Sequence, residues 1–296
     1  MTDWRAHLQG EPARDVEQLD RALGLRLESR AVVDALLDPR GPLFQRLEYV
    51  GDAILDMVVV QALVRLQPWT EPSLAMINGE QQALVSDHAL SQVAERRELP
   101  PVRTFAVSVH RLGDRIEAAI GAAWADAGIG AAVEVATRLV VRPGLHHLPV
   151  LGAVPDTPGD DRYEAAARVC GHDPLDPAWY GAAATAGAPR RRLANVGNAV
   201  LEAALSMAQY VDSPLATEAE MSEQRRTAMS NAVLAERAFD LGLVHPGDDQ
   251  DSHAVADEVQ ALVGAVTLDR GTVDGHDAAC SVLGRTSAPG PVTPIL

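Results

Sequence analysis

Residues 45–56 read QRLEYVGDAILD, and their acids Glu48, Asp52 and Asp56 are spaced four residues apart. This spacing places the three carboxylates on one stripe of an α-helix whose other positions are mostly apolar. Like charges at this spacing cost about 0.2–0.5 kcal/mol per pair, so a bound cation would stabilise the stripe. A surface helix with a solvated acidic edge fits the same spacing equally well.

Glycine and alanine positions predict a second helix packed closely on the first. Gly51 lies inside the apolar helix, where it costs about 1 kcal/mol relative to Ala, which favours the close approach of another backbone. Further along, Asp114 and Glu117 share one face of a predicted helix. Gly121 and the neighbouring alanines give that helix a smooth surface. The D-x-x-E pair alone is typical of many amphipathic helices.

Taken together, the two motifs resemble those of a known family. The stretch QRLEYVGDAIL is similar to the ribonuclease III signature, roughly E-R-L-E-[FY]-[LV]-G-D-[AS]-[VIL]-L, and departs from it at Gln45. The stretch from Asp114 resembles the family's second motif, D-x-[FVI]-E-A-[LI]-[IW]-[GA]-A. The resemblance implies an all-α fold and a metal-dependent endoribonuclease that hydrolyses phosphodiester bonds in double-stranded or structured RNA.

The resemblance also implies the site residues. The catalytic and metal-binding residues are expected to be Glu48, Asp52, Asp114 and Glu117, with Glu71 as a loosely placed accessory acid. Four carboxylates from two helices suit a hard divalent cation with oxygen ligands, Mg²⁺ first and Mn²⁺ as a substitute. No family role is assigned to Asp56.

Composition limits the kind of protein. The chain has 296 residues, 47% of them hydrophobic and 4% aromatic, and such an alanine-rich composition favours helices. The two cysteines, Cys170 and Cys280, match no disulfide framework or metal motif. No apolar run is long enough to span a bilayer and the start lacks the order of a signal peptide, so we expect a cytoplasmic protein.

Charge bears on the expected partner. The net charge is −16, and the longest basic run is Arg190–Arg192. Nucleic-acid binding normally rests on basic patches, so long-range attraction to duplex or hairpin RNA should be weak. No stretch resembles the double-stranded-RNA-binding domain that the family usually appends, which also predicts low RNA affinity.

Periodicity and breakers predict the order of helices in the first half. After a loose lead-in, the pattern predicts two short helices over 15–37, the signature helix to about Leu66, one helix over 73–97, the Asp114 helix and a last helix over 129–141. Proline and glycine then mark a linker at 144–159. It contains His146 and His147, a pair without the further ligands of a metal site.

The second half resembles a weaker copy of the first. Residues 192–201 align with 46–55, and 257–266 align with 114–123. We therefore predict a tandem duplication with a ribonuclease III-like domain at 1–143, the linker at 144–159, a degenerate domain at 160–282 and a flexible tail at 283–296.

The second copy has lost most of its acids. The positions of Glu48, Asp52 and Glu117 are occupied by Ala194, Asn198 and Gln260, and only Asp257 remains acidic. Its neighbour Glu258 does not replace the missing acids, because it points about 100° round the helix. The glycines remain as Gly197 and Gly264. We expect this copy to be inactive, which leaves one active site and a single-strand cut.

The family works as dimers of the helical domain. A duplication would form that dimer as an intramolecular pseudo-dimer, and a homodimer through the first domains stays open. By resemblance Tyr49 packs at the domain interface, whereas its counterpart Asn195 cannot. An ordinary core aromatic is an equally good interpretation of Tyr49.

Two other functions remain compatible with the sequence. One is a non-catalytic module associated with RNA or the ribosome, although the full set of acids in the first copy argues against it. The other is a helical metalloenzyme with a different substrate, which the charge and the altered Gln45 favour.

Overall fold

The computed structural model describes residues 4–66, 74–100, 109–145, 156–244 and 251–286, and the regular elements among them are all helical. In chain order they are a 3-10 turn at Trp4–His7, α1 (Glu11–Leu23), α2 (Arg30–Leu37), α3 (Pro42–Leu66), α4 (Leu74–Val85), α5 (Asp87–Arg96), α6 (Val109–Ala127), α7 (Ile129–Ala136), a π-helical turn at Thr137–Val141, α8 (Arg142–Leu145), α9 (Asp161–Val169), α10 (Pro177–Ala184), α11 (Ala188–Asp212), α12 (Glu218–Ala228), α13 (Asn231–Asp240), α14 (Ser252–Arg270) and α15 (Thr272–Val282). The all-α prediction is confirmed.

Several predicted boundaries were wrong. The first helix begins at Glu11, inside the predicted lead-in, with proline in its first turn. The helix predicted over 73–97 is two helices, because the Ser86 hydroxyl accepts the backbone N–H of Ala89 at 3.3 Å and starts α5. The helix predicted to end at Val141 continues through a π-helical turn to Leu145.

Glycines bring α3 and α6 into close contact. A Cβ on Gly51 would lie 1.8 Å from the carbonyl oxygen of Glu117, and a Cβ on Gly121 would lie 2.0 Å from that of Leu47. Real side chains do not reach such distances, so each glycine is required by the backbone of the other helix. The close approach that Gly51 predicted is therefore present.

Helices α1–α8 are called the first run here, and helices α9–α15 are called the later or second run. The second run makes the same kind of crossing. A Cβ on Gly197 of α11 would lie 1.7 Å from the carbonyl oxygen of Gln260, and one on Gly264 of α14 would lie 2.0 Å from that of Leu193. Helices α3 and α11 have 25 residues each, and α6 and α14 have 19 each. The two runs thus have the same order and similar lengths.

An aspartate near the end of each of these 19-residue helices holds the start of another helix. The Asp126 carboxylate accepts the backbone N–H groups of Glu28 and Ser29, each at 2.6 Å, just before α2. At the end of α14, Asp269 accepts those of Leu175 and Asp176 at 2.8 and 2.9 Å, just before α10. Charge-assisted hydrogen bonds of this kind satisfy N–H groups that a helix start leaves without partners.

Replacing Asp126 with Ala is expected to lower the free energy of unfolding by about 1–2 kcal/mol, because two backbone donors lose their acceptor. Chemical denaturation followed by circular dichroism measures the change. The control is Asp34→Ala, which removes an exposed i,i+4 ion pair with Arg30 on α2 and should cost about 0.5 kcal/mol or less. Equal losses of unfolding free energy in the two variants would contradict a stabilising role for the hydrogen bonds that Asp126 accepts.

The described residues form two compact units. One comprises residues 4–55, 82–100 and 109–145, and the other comprises residues 56–66, 74–81, 156–244 and 251–286. The division falls inside α3 and α4. In the second unit, the Arg65 guanidinium donates to the carbonyls of Thr267 and Leu268 at 3.3 and 2.7 Å, and the Thr272 hydroxyl donates to Gln61 at 2.7 Å. The end of α3 therefore packs against α14 and the start of α15.

Part of the predicted linker can be compared with the structure. Residues 142–145 form α8, residues 156–160 are irregular, and His146 and His147 lie outside the described residues. The predicted domain limits at 1–143, 160–282 and 283–296 stay a prediction. Within the described ranges, no helix is both long enough and apolar enough to cross a bilayer.

Candidate metal centre

The candidate centre lies where α3 crosses α6. Glu48 and Asp52 are one turn apart on α3, and Asp114 and Glu117 are one turn apart on α6. All four side chains are partly exposed. The glycine contacts hold the two backbones together at this crossing, because Gly51 lies between the two acids of α3 and touches the backbone of Glu117.

Three of the four predicted acids form a tight group. One carboxylate oxygen each from Glu48, Asp114 and Glu117 lies within 4.8 Å of the other two. Oxygen ligands of an octahedral Mg²⁺ are separated by about 3–4 Å, and those of the larger Ca²⁺ by a little more. The donor chemistry and the spacing of the three carboxylates therefore fit a hard divalent cation.

Asp52 is outside this tight group but acts on it through its charge. Burial raises the pKa of Glu117, and the negative charges of Asp52, Glu48, Asp114 and Asp87 add to this effect in that order, so that the pKa rises from 4.5 to about 9. Without a cation, Glu117 is thus protonated at neutral pH. A carboxyl group with this pKa ionises when a positive ion occupies the site.

The structure adds Asp87, which the sequence interpretation missed. Asp87 is the first residue of α5, directly after the N-cap Ser86, and such acids are common at helix starts. One signal was available in the sequence: the corresponding residue of the later run is Asn231, an amide like Asn198 and Gln260.

The remaining acids of the opening stretch and its surroundings have different environments. Asp56 continues the stripe of Glu48 and Asp52, yet its carboxylate accepts a hydrogen bond from the Gln81 amide at 2.9 Å. Burial raises the pKa of Asp56, while this hydrogen bond and the charge of Arg225 oppose the rise. Glu71 lies outside the described residues.

Tyr49 is buried, with 5% of its surface exposed. Its role at a domain interface stays a prediction.

In the second run, neutral amides occupy the positions that correspond to Asp52 and Glu117. The Gln260 amide donates to the Asn198 side-chain oxygen at 3.0 Å, and the Asn198 amide donates to Glu202 at 3.0 Å. Ala194 is buried and offers no ligand atom, and Asp257 is partly exposed. Among the described residues, only the Glu48–Asp114–Glu117 group brings three acidic, histidine or cysteine side chains close enough for one ion.

Glu258 takes part in a buried hydrogen-bond network. It is buried, with 4% of its surface exposed, and accepts hydrogen bonds from the Tyr163 hydroxyl and the Arg190 guanidinium. Arg190 also donates to the carbonyls of Ala183 and Ala184 at 2.9 and 2.5 Å. This buried network joins α9, α10 and α11 to α14 and gives Glu258 a structural role.

Comparison with known proteins identifies the class of this helical domain. Residues 45–128, which contain both acidic motifs, match the family model of the ribonuclease III domain. The ribonuclease 3 of Streptomyces coelicolor is 33% identical over 138 residues, covering 41% of this chain and 49% of that protein. The ribonuclease 3 of Campylobacter curvus is 23% identical over 140 residues, covering 43% of this chain and 62% of that protein. Residues 45–128 thus resemble the ribonuclease III domain, and the chain spans less than two thirds of the length of either relative.

Solved structures extend the likeness of fold beyond the matched domain. A structure of Giardia Dicer aligns with a TM-score of 0.58 and 16% identity, covering 83% of this chain and 55% of that one. A second Dicer structure, from Giardia intestinalis, aligns with a TM-score of 0.57 and 15% identity, covering 84% and 56%. Coverage of this size includes helices of both runs, so the likeness of fold to the Dicer structures is not confined to the first half.

Proposed function

We propose that the chain is a metal-dependent endoribonuclease that hydrolyses phosphodiester bonds in double-stranded or structured RNA at one active site. The observation that carries the proposal is the group of Glu48, Asp114 and Glu117 at the crossing of α3 and α6. This group lies within the residues that match the ribonuclease III domain. Two relatives that are similar to part of this chain are named ribonuclease 3, which supports RNA as the substrate.

The residues of the centre have distinct roles in this proposal. Glu48, Asp114 and Glu117 hold a divalent cation, Mg²⁺ or Mn²⁺, and Asp52 completes the catalytic set beside them. When bound, the ion stabilises negative charge on the phosphoryl and leaving oxygens and lowers the pKa of water. Glu117 gives up its proton as the site fills, since its raised pKa keeps it protonated beforehand. The glycine crossing fixes the separation of the two pairs of acids, because neither helix can move without breaking a backbone contact.

The single active site follows from the chemistry of the second run. Asn198 and Gln260 are hydrogen-bonded to each other and are neutral, so they supply no charge to a cation. We propose that α9–α15 are a degenerate copy of the first helical domain, produced by tandem duplication and paired with it within the chain. One competent site per pair of domains predicts that one strand of a duplex is cut.

The test is a cleavage assay with duplex RNA labelled on both strands, at protein concentrations where size exclusion gives a monomer. We expect Mg²⁺-dependent nicks in one strand. Asp52→Asn should reduce the rate by about a hundredfold or more, because a centre that lacks this charge stabilises the transition state less. The matched control, Asp56→Asn, removes the next acid of the same stripe, which is bound to Gln81, and should cleave normally.

Three other outcomes have clear meanings. Cuts in both strands by the monomer would show that the second run is active. Cleavage that survives Asp52→Asn would exclude this centre. Tight RNA binding without cleavage would indicate a non-catalytic RNA-associated module.

A further inference from the structure

Asp87 lies beside the candidate metal centre without belonging to its tight group. It is the first residue of α5, and its Cα and carbonyl oxygen are 3.4 and 3.5 Å from the place where a Cβ on Gly113 would stand. Gly113 directly precedes Asp114 on α6. The start of α5 therefore packs on α6 next to the acidic pair, with no side chain on Gly113 between them.

The charge of Asp87 reaches the centre. Its carboxylate is among the four whose negative charge acts on Glu117. The same pattern holds for Asp52, which also acts on Glu117 and also lies outside the group of three. The location of Asp87 and the effect of its charge on Glu117 thus resemble those of Asp52. Both residues lie beside the three candidate ligands and are not members of that group.

The second run offers an internal comparison. Helix α13 corresponds to α5, begins after a serine as α5 does, and has Asn231 where α5 has Asp87. The run therefore replaces Asp52, Asp87 and Glu117 with Asn198, Asn231 and Gln260, which keep the shape of each side chain and remove its charge.

This joint loss separates two explanations. An acid in the first turn of a helix is stabilising by about 0.3–1 kcal/mol wherever the helix lies, so that benefit would be as large in α13 as in α5. A helix-start role alone gives no reason for the charge to disappear together with that of the metal ligands. A role in the metal centre explains why the charge of Asp87 is lost together with the charges of the metal ligands.

We propose that Asp87 is a positioning residue of the metal centre, which holds the hydrated cation against Glu48, Asp114 and Glu117 through its charge. This rests on the proposed function, since it requires that the centre binds a divalent cation. A carboxylate near the ions' water molecules lowers the free energy of the bound cation without direct coordination.

The experiment measures Mn²⁺ binding to the full chain by the electron paramagnetic resonance signal of free Mn²⁺. Asp87→Asn should weaken binding about fivefold, the effect of one unit charge on a divalent ion through well-hydrated surroundings. Asp87→Glu should restore binding to within about twofold of the natural protein. The matched control is Glu95→Gln, which removes an exposed acid from the same helix and should leave binding unchanged.

The variants also separate this proposal from the proposed function. Asn231 shows that the fold accepts an amide at this position, and Asp87→Ser provides a second charge-free variant whose unfolding temperature is compared by circular dichroism. Natural affinity in folded Asp87→Asn and Asp87→Ser, with binding lost in Glu117→Gln, would overturn the role of Asp87 alone. Absence of Mn²⁺ binding in the natural protein would overturn the centre itself.

Discussion

Glu117→Gln is expected to reduce RNA cleavage by about a thousandfold or more and to make cation binding nearly independent of pH. Glu117 is one of the three carboxylates whose oxygens lie within 4.8 Å of one another. An amide at this position keeps the size of the side chain but supplies no negative charge. The same replacement is present in the second run as Gln260, which is hydrogen-bonded to Asn198.

The pH dependence follows from the raised pKa of Glu117. Burial and the surrounding carboxylates raise it to about 9 in the cation-free protein, so the proton must leave before the carboxylate can bind an ion. Cation affinity should therefore rise by about tenfold per pH unit between about pH 7 and 9 and level off above that range. Binding at pH 7.5 should release about one proton.

The stability of the cation-free protein should change in the opposite direction. Between pH 4.5 and about 9, Glu117 holds a proton in the folded state that it loses in the unfolded state. The folded state thus binds more protons in this window, and its free energy of unfolding falls as the pH rises. A bound cation should remove the part of that fall that Glu117 contributes, and the fall should be smaller in Glu117→Gln than in the natural protein.

Isothermal titration calorimetry in two buffers of different ionisation enthalpy measures the released proton, and thermal unfolding at several pH values measures the stability. The matched control is Asp56→Asn. Asp56 also has a pKa raised by burial, but it is bound to Gln81 and lies outside the centre. Proton release that is lost in Asp56→Asn and kept in Glu117→Gln would show that the titrating group has been misassigned.

The opening stretch shows how far sequence could predict this centre. The signature placed Glu48 and Asp52 on one buried helix, and the glycine in it predicted the close backbone that Glu117 provides. Spacing alone also put Asp56 on the same stripe, where packing gives it Gln81 as a partner. Helical periodicity cannot distinguish these acids, because it shows which face of a helix a residue lies on. It does not show which residues of other helices pack against that face.

The features that sequence missed have two causes, one local to the chain and one that depends on contacts between helices distant in the chain. The break at Ser86 was hidden because the apolar pattern continues across it from α4 into α5. With that break missed, Asp87 looked like a position inside a longer helix. The raised pKa of Glu117 requires burial together with four neighbouring charges, three of them on helices other than its own.

Gly51→Ala is expected to destabilise the protein by about 3 kcal/mol or more, because overpacking at a backbone contact cannot be relieved by a change of rotamer. The new Cβ would meet the Glu117 carbonyl oxygen at 1.8 Å, so α3 and α6 would have to separate. For a chain of this size the loss corresponds to a fall of about 6–12 °C in the unfolding temperature. The matched control is Gly79→Ala on α4, where a Cβ meets nothing within 4 Å and the better helix propensity of Ala should stabilise by up to about 1 kcal/mol.

The same substitution also tests whether the crossing sets the geometry of the centre. Separating α3 from α6 would move Glu48 and Glu117 apart, so Mn²⁺ affinity should fall even at temperatures where Gly51→Ala is folded. Gly197→Ala produces an equivalent collision, 1.7 Å from the Gln260 carbonyl oxygen, beside residues that carry no ligand. It should lose stability to a similar degree and keep its affinity for Mn²⁺. Equal loss of affinity in both variants would mean that affinity follows general stability, whereas loss in Gly51→Ala alone would tie the bound cation to the contact between these two helices.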